Sequence, residues 1–413
     1  MASNDQHYAM HLIILQQRCR DLLSVTSSQR LAFHAGYSLH QLLADQPLPF
    51  RASPFFSQWI SAASVENAWL LTDGCGSPTL LIPADAFNPH WSECSWWSLF
   101  DVHLLDHSHQ VEDWLTDVET AIYIGPHPDV AKALGFEEIN PEAVLHYFYQ
   151  QRAIKTGYEQ YCLQQAGQLA GKAMLQVRER FYQGASALDI YLGYLKSIGQ
   201  SELLEPARLA FNQQVTHGGR IFAHDGCLAE QTRRSFALTA SCSWHDYQVR
   251  IGRCYAYRRD HYSELLVDFE AMFESVIGQV QLQQRYDELY QQFRRGLASL
   301  LVENELVLCS VRQCLKLEIV DQLLIEPVIQ FVGLGLHEAA LGETSMTGDV
   351  ISPGHAFSVT VSFSLDPKRL SRYIDIQPDV IHWNQFSLLC EYGGMIRADT
   401  FLVTESTIHS LTQ

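Results

Sequence analysis

Along the first third of the chain the apolar residues fall into short runs bounded by polar turn residues. NAWLLTD (67–73), TLLIPA (79–84), VHLLD (102–106) and AIYIG (121–125) each have the length and density of a strand. Between and before them the apolar spacing widens to three and four, which predicts helices around 8–24, near 111–117 and over 128–134. Strands separated by such helices predict an α/β layer with crossover connections.

From Pro141 to about Val215 the pattern is helical, through EAVLHYFYQQRAI, YCLQQAGQLAGKAMLQVRERF and ALDIYLGYLKSI. A domain boundary is expected at Ala153-Ile154-Lys155-Thr156, giving an α/β domain over 1–152 and a second domain over 153–413. In that second part, RSFALTASCSWHDYQVRIGRCY (234–255) reads as two strands joined by a polar turn. A long helical block covers about 260–301, HAFSVTVSFSL (355–365) alternates strictly, and MIRADTFLVT (395–404) supplies another strand, so this part is α+β. No internal repeat or low-complexity tract interrupts the pattern.

The chain has 413 residues, 47% of them hydrophobic, which is enough for two or three packed cores. Lys+Arg number 28 against 46 Asp+Glu, a net charge of -18. That balance argues against nucleic acid and anionic membranes, both of which are bound through clustered Lys and Arg. No apolar run reaches the roughly 18 residues a membrane span needs. The ten cysteines are scattered without C-x-x-C pairs, and the amphipathic start MASNDQHYAMHLIILQQRCRDLL does not resemble a signal peptide; a reducing cytoplasm is the expected compartment.

Several stretches are more specific. DQPLPFRASPFFSQW (45–59), NAWLLTDG (67–74), YIGP (123–126), INPEAVLHY (139–147) and AIKTGYE (153–159) stand in the first part. SPGHAFSVTV (352–361), HWNQ (382–385) and GGMIRADTFLVT (393–404) stand in the second. Together they resemble the bacterial Xaa-Pro dipeptidases, or prolidases, of the pita-bread creatinase/aminopeptidase family. The first resembles the family loop D-x-x-Y-P-F-x-x-N-P-x-F-x-x-W, with Leu48 and Ser53 as departures and Asp45 as the implied substrate-facing carboxylate. The resemblance spans nearly the whole chain and implies an N-terminal α/β domain, an α+β pita-bread C-terminal domain and a homodimer.

It also implies a site that can be checked residue by residue. Active members hold two divalent ions, typically manganese, on two aspartates, a histidine and two glutamates, because hard cations need anionic oxygen ligands and share the water that attacks. The motif R-S-F-x-L-D-A-G maps onto RSFALTAS and puts the first aspartate at Thr239; the second, eleven residues on, falls at Arg250. H-F-L-G-I-D-V-H-D maps onto QFVGLGLHE, so the ligand histidine becomes Gln330 while a later, substrate-contacting histidine survives as His337. The glutamates of T-I-E-P and R-I-E-D become Thr360 and Ala398. Asp399 cannot replace the second glutamate, since neighbours in a strand face opposite sides.

By the resemblance, then, all five ligand positions have lost ligand chemistry, and no metal or cofactor is expected. A unit charge about 4 Å from another interacts by about 4 kcal/mol at a surface-like dielectric, so Arg250 beside a dication would meet roughly twice that as repulsion. A guanidinium there needs an anion: a carboxylate such as Asp225 or Glu338, or a ligand's carboxylate or phosphate. The family's first-strand histidine aligns with Ala223, leaving His224 one position over, and the loop carrying an arginine for the dipeptide's carboxylate is shortened. Cys227 and Cys242 near His224 are read as inert buried thiols rather than nucleophiles.

Three readings follow. The leading one is a prolidase-like pseudoenzyme that binds a small anionic molecule or a protein partner. The second is a metal-independent, creatinase-like C–N hydrolase or lyase on the old pocket, using His337 with Glu338 or Glu326 and with Arg250 orienting substrate. The third is a residual metal-dependent Xaa-Pro dipeptidase.

Overall fold

The computed structural model describes residues 2–40, 43, 45–60, 65–201, 203, 207–212, 234–325, 328–338 and 349–413. Ala223, His224, Asp225, Cys227 and Glu326 lie outside the described residues. The chain divides into two compact units. The first is Met1–Cys162 with His245–Tyr247; the second comprises Leu163–Trp244, Gln248–Glu338 and Thr344–Gln413.

The first unit opens with helix α1 (Ala2–Leu23), strand β1 (Arg30–His34) and a single helical turn α2 (Pro54–Ser57). Strands β2 (Trp69–Thr72), β3 (Thr79–Pro83), β4 (Asp101–Leu105) and β5 (Ala121–Ile124) follow, then α3 (Pro128–Ala133), β6 (Glu138–Ile139) and α4 (Glu142–Ala153). They form one six-stranded sheet in the order β4-β3-β2-β1-β5-β6. Strand β2 runs antiparallel to β1 and β3, while the β1–β5, β3–β4 and β5–β6 pairs are parallel. Both β2 and β5 are buried along their whole length, as strands covered on two faces must be.

Two expectations change here. RLAFH becomes the central strand β1, which apolar spacing did not single out because the polar Arg30 and His34 frame only three apolar residues. The helix expected near 111–117 is instead a 3-10 segment over Ser108–Asp113.

Helix α5 (Gly157–Tyr182) begins with a reciprocal cap. Thr156 N–H donates to Glu159 Oε2 at 2.8 Å and Glu159 N–H donates to Thr156 Oγ1 at 3.4 Å, the T-x-x-E box written in KTGYE. Glu159 is buried and also accepts from Gln58 Nε2 and Tyr247 Oη, at 3.2 and 3.0 Å. Burial pushes its carboxyl pKa up, but His11, Lys155, Arg18 and the Thr156 N–H outweigh this and hold it below the usual value.

The second unit adds α6 (Ala187–Ile198), β7 (Arg208–Phe211), β8 (Ser235–Trp244) and β9 (Tyr247–Ala256). Helices α7 (His261–Ile277), α8 (Tyr286–Glu303), α9 (Val311–Lys316) and α10 (Ile319–Leu323) come next. The chain then runs through β10 (Ile329–Phe331), β11 (Ala356–Phe363), α11 (Arg372–Ile376), α12 (Trp383–Cys390), β12 (Met395–Val403) and β13 (Ile408–Ser410). The long helical block expected over about 260–301 consists of two helices, because the chain turns after Gly278 and α8 packs back on α7. The seven-stranded sheet runs β10-β11-β12-β9-β8-β7, with β13 beside β12.

Alternation decides which face of that sheet is dry. Phe357, Val359, Val361 and Phe363 of β11 join Phe269 and Phe273 of α7 and Phe293 of α8 in one core cluster. Ser358, Thr360 and Ser362 therefore stand on the opposite face.

Candidate functional site

The β8–β9 hairpin turns on His245 and Asp246, both with positive φ (49° and 65°), the geometry of a two-residue type I′ turn. Such a turn sets Trp244 opposite Tyr247, and counting back along both strands sets Thr239 opposite Gly252 and Ser241 opposite Arg250. Across the next strand Gly252 pairs with Ala398, and Ala398 pairs with Thr360. Thr239, Gly252, Ala398 and Thr360 thus form one row across β8, β9, β12 and β11.

The row is tight at its centre. A Cβ at Gly252 would lie 2.9 Å from the Ala398 methyl and 3.4 Å from Thr239 Oγ1. The neighbouring row carries Arg250 on β9, Ser358 on β11 and Gln330 on β10, the last two paired directly. Between them Thr400 bridges β12 to β9, its hydroxyl accepting the Arg250 N–H and donating to the Arg250 carbonyl, each at 2.9 Å. The five positions singled out by sequence, Thr239, Arg250, Gln330, Thr360 and Ala398, therefore stand in two adjacent rows.

Arg250 is 1% exposed, the largest fully buried side chain of the chain's described residues. Its Nη2 donates to Nε2 of His337 at 3.0 Å. A guanidinium can only donate, so Nε2 of His337 is the acceptor and the neutral ring carries its proton on Nδ1. The segment leading to His337 is pinned by β9: the Gly333 carbonyl accepts the Gln248 N–H at 2.6 Å, and the Leu334 carbonyl accepts Gln248 Nε2 at 3.1 Å. Glu338 Oε1 accepts the Leu334 N–H at 2.8 Å, so this carboxylate ties down the same turn. Asp45 lies in a loop of the first unit and is exposed.

Around Arg250 the face is lined with hydroxyls. Thr239 Oγ1, Ser358 Oγ, Thr360 Oγ1 and Ser362 Oγ are all buried with no hydrogen-bond partner. An unsatisfied buried polar group costs about 1–3 kcal/mol, so four on one face of one sheet mark a surface built to meet a polar ligand or ordered water. Sequence reading passed over Ser358 and Ser362, although the S-V-T-V-S alternation already put them on the face of Thr360.

Beyond the sheet, Asp399 faces the other way from Ala398. It is 0% exposed and accepts from Arg253 Nη2, Arg397 Nε and Thr412 Oγ1, each at 2.7 Å. Arg397 continues to Glu270 and Glu274 of α7, on the core-facing side. Burial raises the Glu270 carboxyl pKa, against the pull of Arg397 and Arg253.

This geometry meets its counterparts in known proteins. The family profile described as Xaa-Pro dipeptidase, N-terminal domain, matches residues 6–149. An Xaa-Pro dipeptidase of Aeromonas hydrophila is 30% identical over 442 residues, covering 100% of this chain and 99% of that protein. The chain belongs to the Xaa-Pro dipeptidase family.

Another relative so named, from Shewanella amazonensis, is 27% identical over 432 residues, with 98% and 97% covered. Among solved structures, proline aminopeptidase P II of Yersinia pestis superposes with a TM-score of 0.72 at 14% identity, covering 99% of this chain and 96% of that one. Aminopeptidase P of Pseudomonas aeruginosa gives 0.71, also at 14% identity, with 99% and 94% covered. At that identity the likeness is one of fold: an α/β N-terminal domain followed by a pita-bread domain with a curled sheet.

The prolidase family's two divalent ions do not fit the residues on these two rows. Three neutral side chains, one methyl and one buried guanidinium offer no anionic oxygen, and hard dications need several. Among the described residues no group of three or more His, Cys, Asp or Glu side chains is placed to hold a metal ion. Nor is any helix among them long and apolar enough to cross a membrane.

Proposed function

We propose that this chain is a prolidase-family protein whose pita-bread cleft has given up dinuclear metal binding and holds a small anionic molecule through Arg250. The observation that carries this reading is a guanidinium 1% exposed on the hydroxyl-lined face, donating to a neutral His337. A guanidinium presents five N–H donors, so a small anion that enters the cleft can add to the partners Arg250 already has, where a protein surface could not reach it. The unpaired hydroxyls of Thr239, Thr360, Ser358 and Ser362 supply donors for the rest of such a ligand. Loss of metal binding removes the activated water, so Xaa-Pro dipeptidase activity goes with it.

The same reading takes the chain to be a cytoplasmic homodimer with its domain boundary between residues 152 and 153. Light scattering on the purified protein checks the dimer.

One experiment decides the main point. The protein is purified in manganese-containing buffer, its metal is quantified, and Xaa-Pro hydrolysis is assayed. Two ions per chain with turnover would establish a dipeptidase and sink the proposal, while hydrolysis without metal would establish the metal-independent hydrolase. With neither, a thermal-shift screen of small carboxylates and phosphates is run on wild type and Arg250→Gln. A stabilising ligand that Arg250→Gln no longer responds to is the expected result; a response unchanged in the variant, or none to any anion, rules out the Arg250 site.

A further inference from the structure

A second candidate site lies in the first unit and is lined by none of the residues assigned above to the Arg250 face. A crevice of about 1470 Å³ opens at the ends of the strands. His34 ends β1, Pro83 ends β3 and Leu105 ends β4, and all three line it together with Trp69, which begins the antiparallel β2. Helix α3, which follows β5, supplies Val130 to the wall. The strand order β4-β3-β2-β1-β5-β6 means that the chain steps outward from β1 on one side and resumes at β5 on the other. The crevice therefore sits outside the carboxyl ends of parallel strands at the point where the order reverses, where open α/β sheets place ligands.

At its floor is one unsatisfied polar atom. His34 is 1% exposed, its ring stacks on Trp69 with centroids 4.2 Å apart, and its Nε2 is buried with no hydrogen-bond partner. The other nitrogen is taken: Nδ1 lies 3.0 Å from Tyr123 Oη. That hydroxyl accepts the His127 N–H at 3.2 Å, and we assign its single proton to Nδ1, the ring nitrogen it faces. The neutral ring must then carry its proton on Nε2. Asn67 stands beside it, close enough to favour the protonated ring a little, but forms no hydrogen bond of ordinary length and angle. Burial, reinforced by His127, pulls the His34 pKa down to about 3, so the ring stays neutral at physiological pH.

The rim has the opposite character. Glu66, Asp85, Asp106 and Glu112 line the crevice, and no lysine or arginine is among the described residues that do. Asp85 and Asp106 are exposed at the mouth. Apolar and aromatic walls, a single buried N–H donor below and carboxylates above specify a ligand chemistry. We propose that this crevice binds a small, flat organic cation carrying one hydrogen-bond acceptor, with the acceptor on His34 Nε2–H and the positive charge among the rim carboxylates.

The test uses the full-length protein and three probes built on one ring: 1-methylnicotinamide, which has both charge and carbonyl; nicotinamide, which lacks the charge; and 1-methylpyridinium, which lacks the carbonyl. Calorimetric titration is expected to show 1-methylnicotinamide binding roughly tenfold more tightly than either control, and the same factor lost in the exposed double variant Asp85→Asn/Asp106→Asn. Ring-nitrogen NMR, with His34 assigned by its absence in His34→Gln, is expected to show the Nε2–H form and a shift of that nitrogen on adding probe. Equal affinities for the three probes, no saturation by about 10 mM, or a His34 proton on Nδ1 would each overturn the proposal.

Discussion

Asp399 and Ala398 are chain neighbours with opposite duties. Asp399 is clamped between Arg253 and Arg397, each at 2.7 Å, on the core-facing side of β12, while the Ala398 methyl faces Gly252 and the hydroxyl-lined row. Replacing Asp399 by Leu strips the buried Arg397 and the half-buried Arg253 of their shared anion. A loss of about 3–5 kcal/mol in urea-unfolding stability is expected. The exposed Asp287→Leu change, which breaks a surface pair with Arg285, should leave that stability nearly unchanged.

The ligand set that the proposed reading takes to be lost can be put back. Thr239→Asp, Arg250→Asp, Gln330→His, Thr360→Glu and Ala398→Glu together rebuild the prolidase set on the two rows already formed by β8, β9, β10, β11 and β12. Manganese-dependent thermal stabilisation is expected in the five-site variant and not in the wild type, read by melting temperature with and without metal. A response in the wild type as strong as in the variant would show that metal binding never left.

The hairpin turn should respond to pH. Burial raises the Asp246 carboxyl pKa to about 6, with Arg51 pulling the other way. A carboxyl whose folded pKa lies above its unfolded value binds protons more readily when folded, so its contribution to stability rises as pH falls through about 6 towards the unfolded value near 3.8. Asp246→Asn removes the cost of burying the charge. It should stabilise the protein by on the order of 1–3 kcal/mol at pH 8 and by little at pH 4, measured as a difference between two denaturation series.

Glu159 shows the reverse sign. Its pKa is held below the ordinary value, so its contribution is present above the unfolded pKa and is lost as pH falls through the folded one. Glu159→Ala leaves Gln58 Nε2, Tyr247 Oη and the Thr156 N–H without their acceptor, at an expected cost of about 3–5 kcal/mol at neutral pH. Glu159→Gln should recover part of this, because it keeps an acceptor for the α5 cap.

By itself the sequence determined the elements with strong periodicity. The alternation of HAFSVTVSFSL became β11, and the apolar runs became β2 to β5. It also carried the likeness to the prolidases, and with it the five positions worth inspecting. Each of these is a local pattern, legible because side-chain spacing follows directly from helix or strand geometry. What only the tertiary structure decided lies between segments far apart in the chain. Strand register put Thr239, Ala398 and Thr360 in one row and Arg250 beside His337, 87 residues away. Strand order made the short RLAFH the centre of its sheet and left the unpartnered nitrogen of His34 at the floor of a crevice. No window of sequence contains those relationships, because hydrogen-bond pairing and burial depend on which strands come to lie side by side.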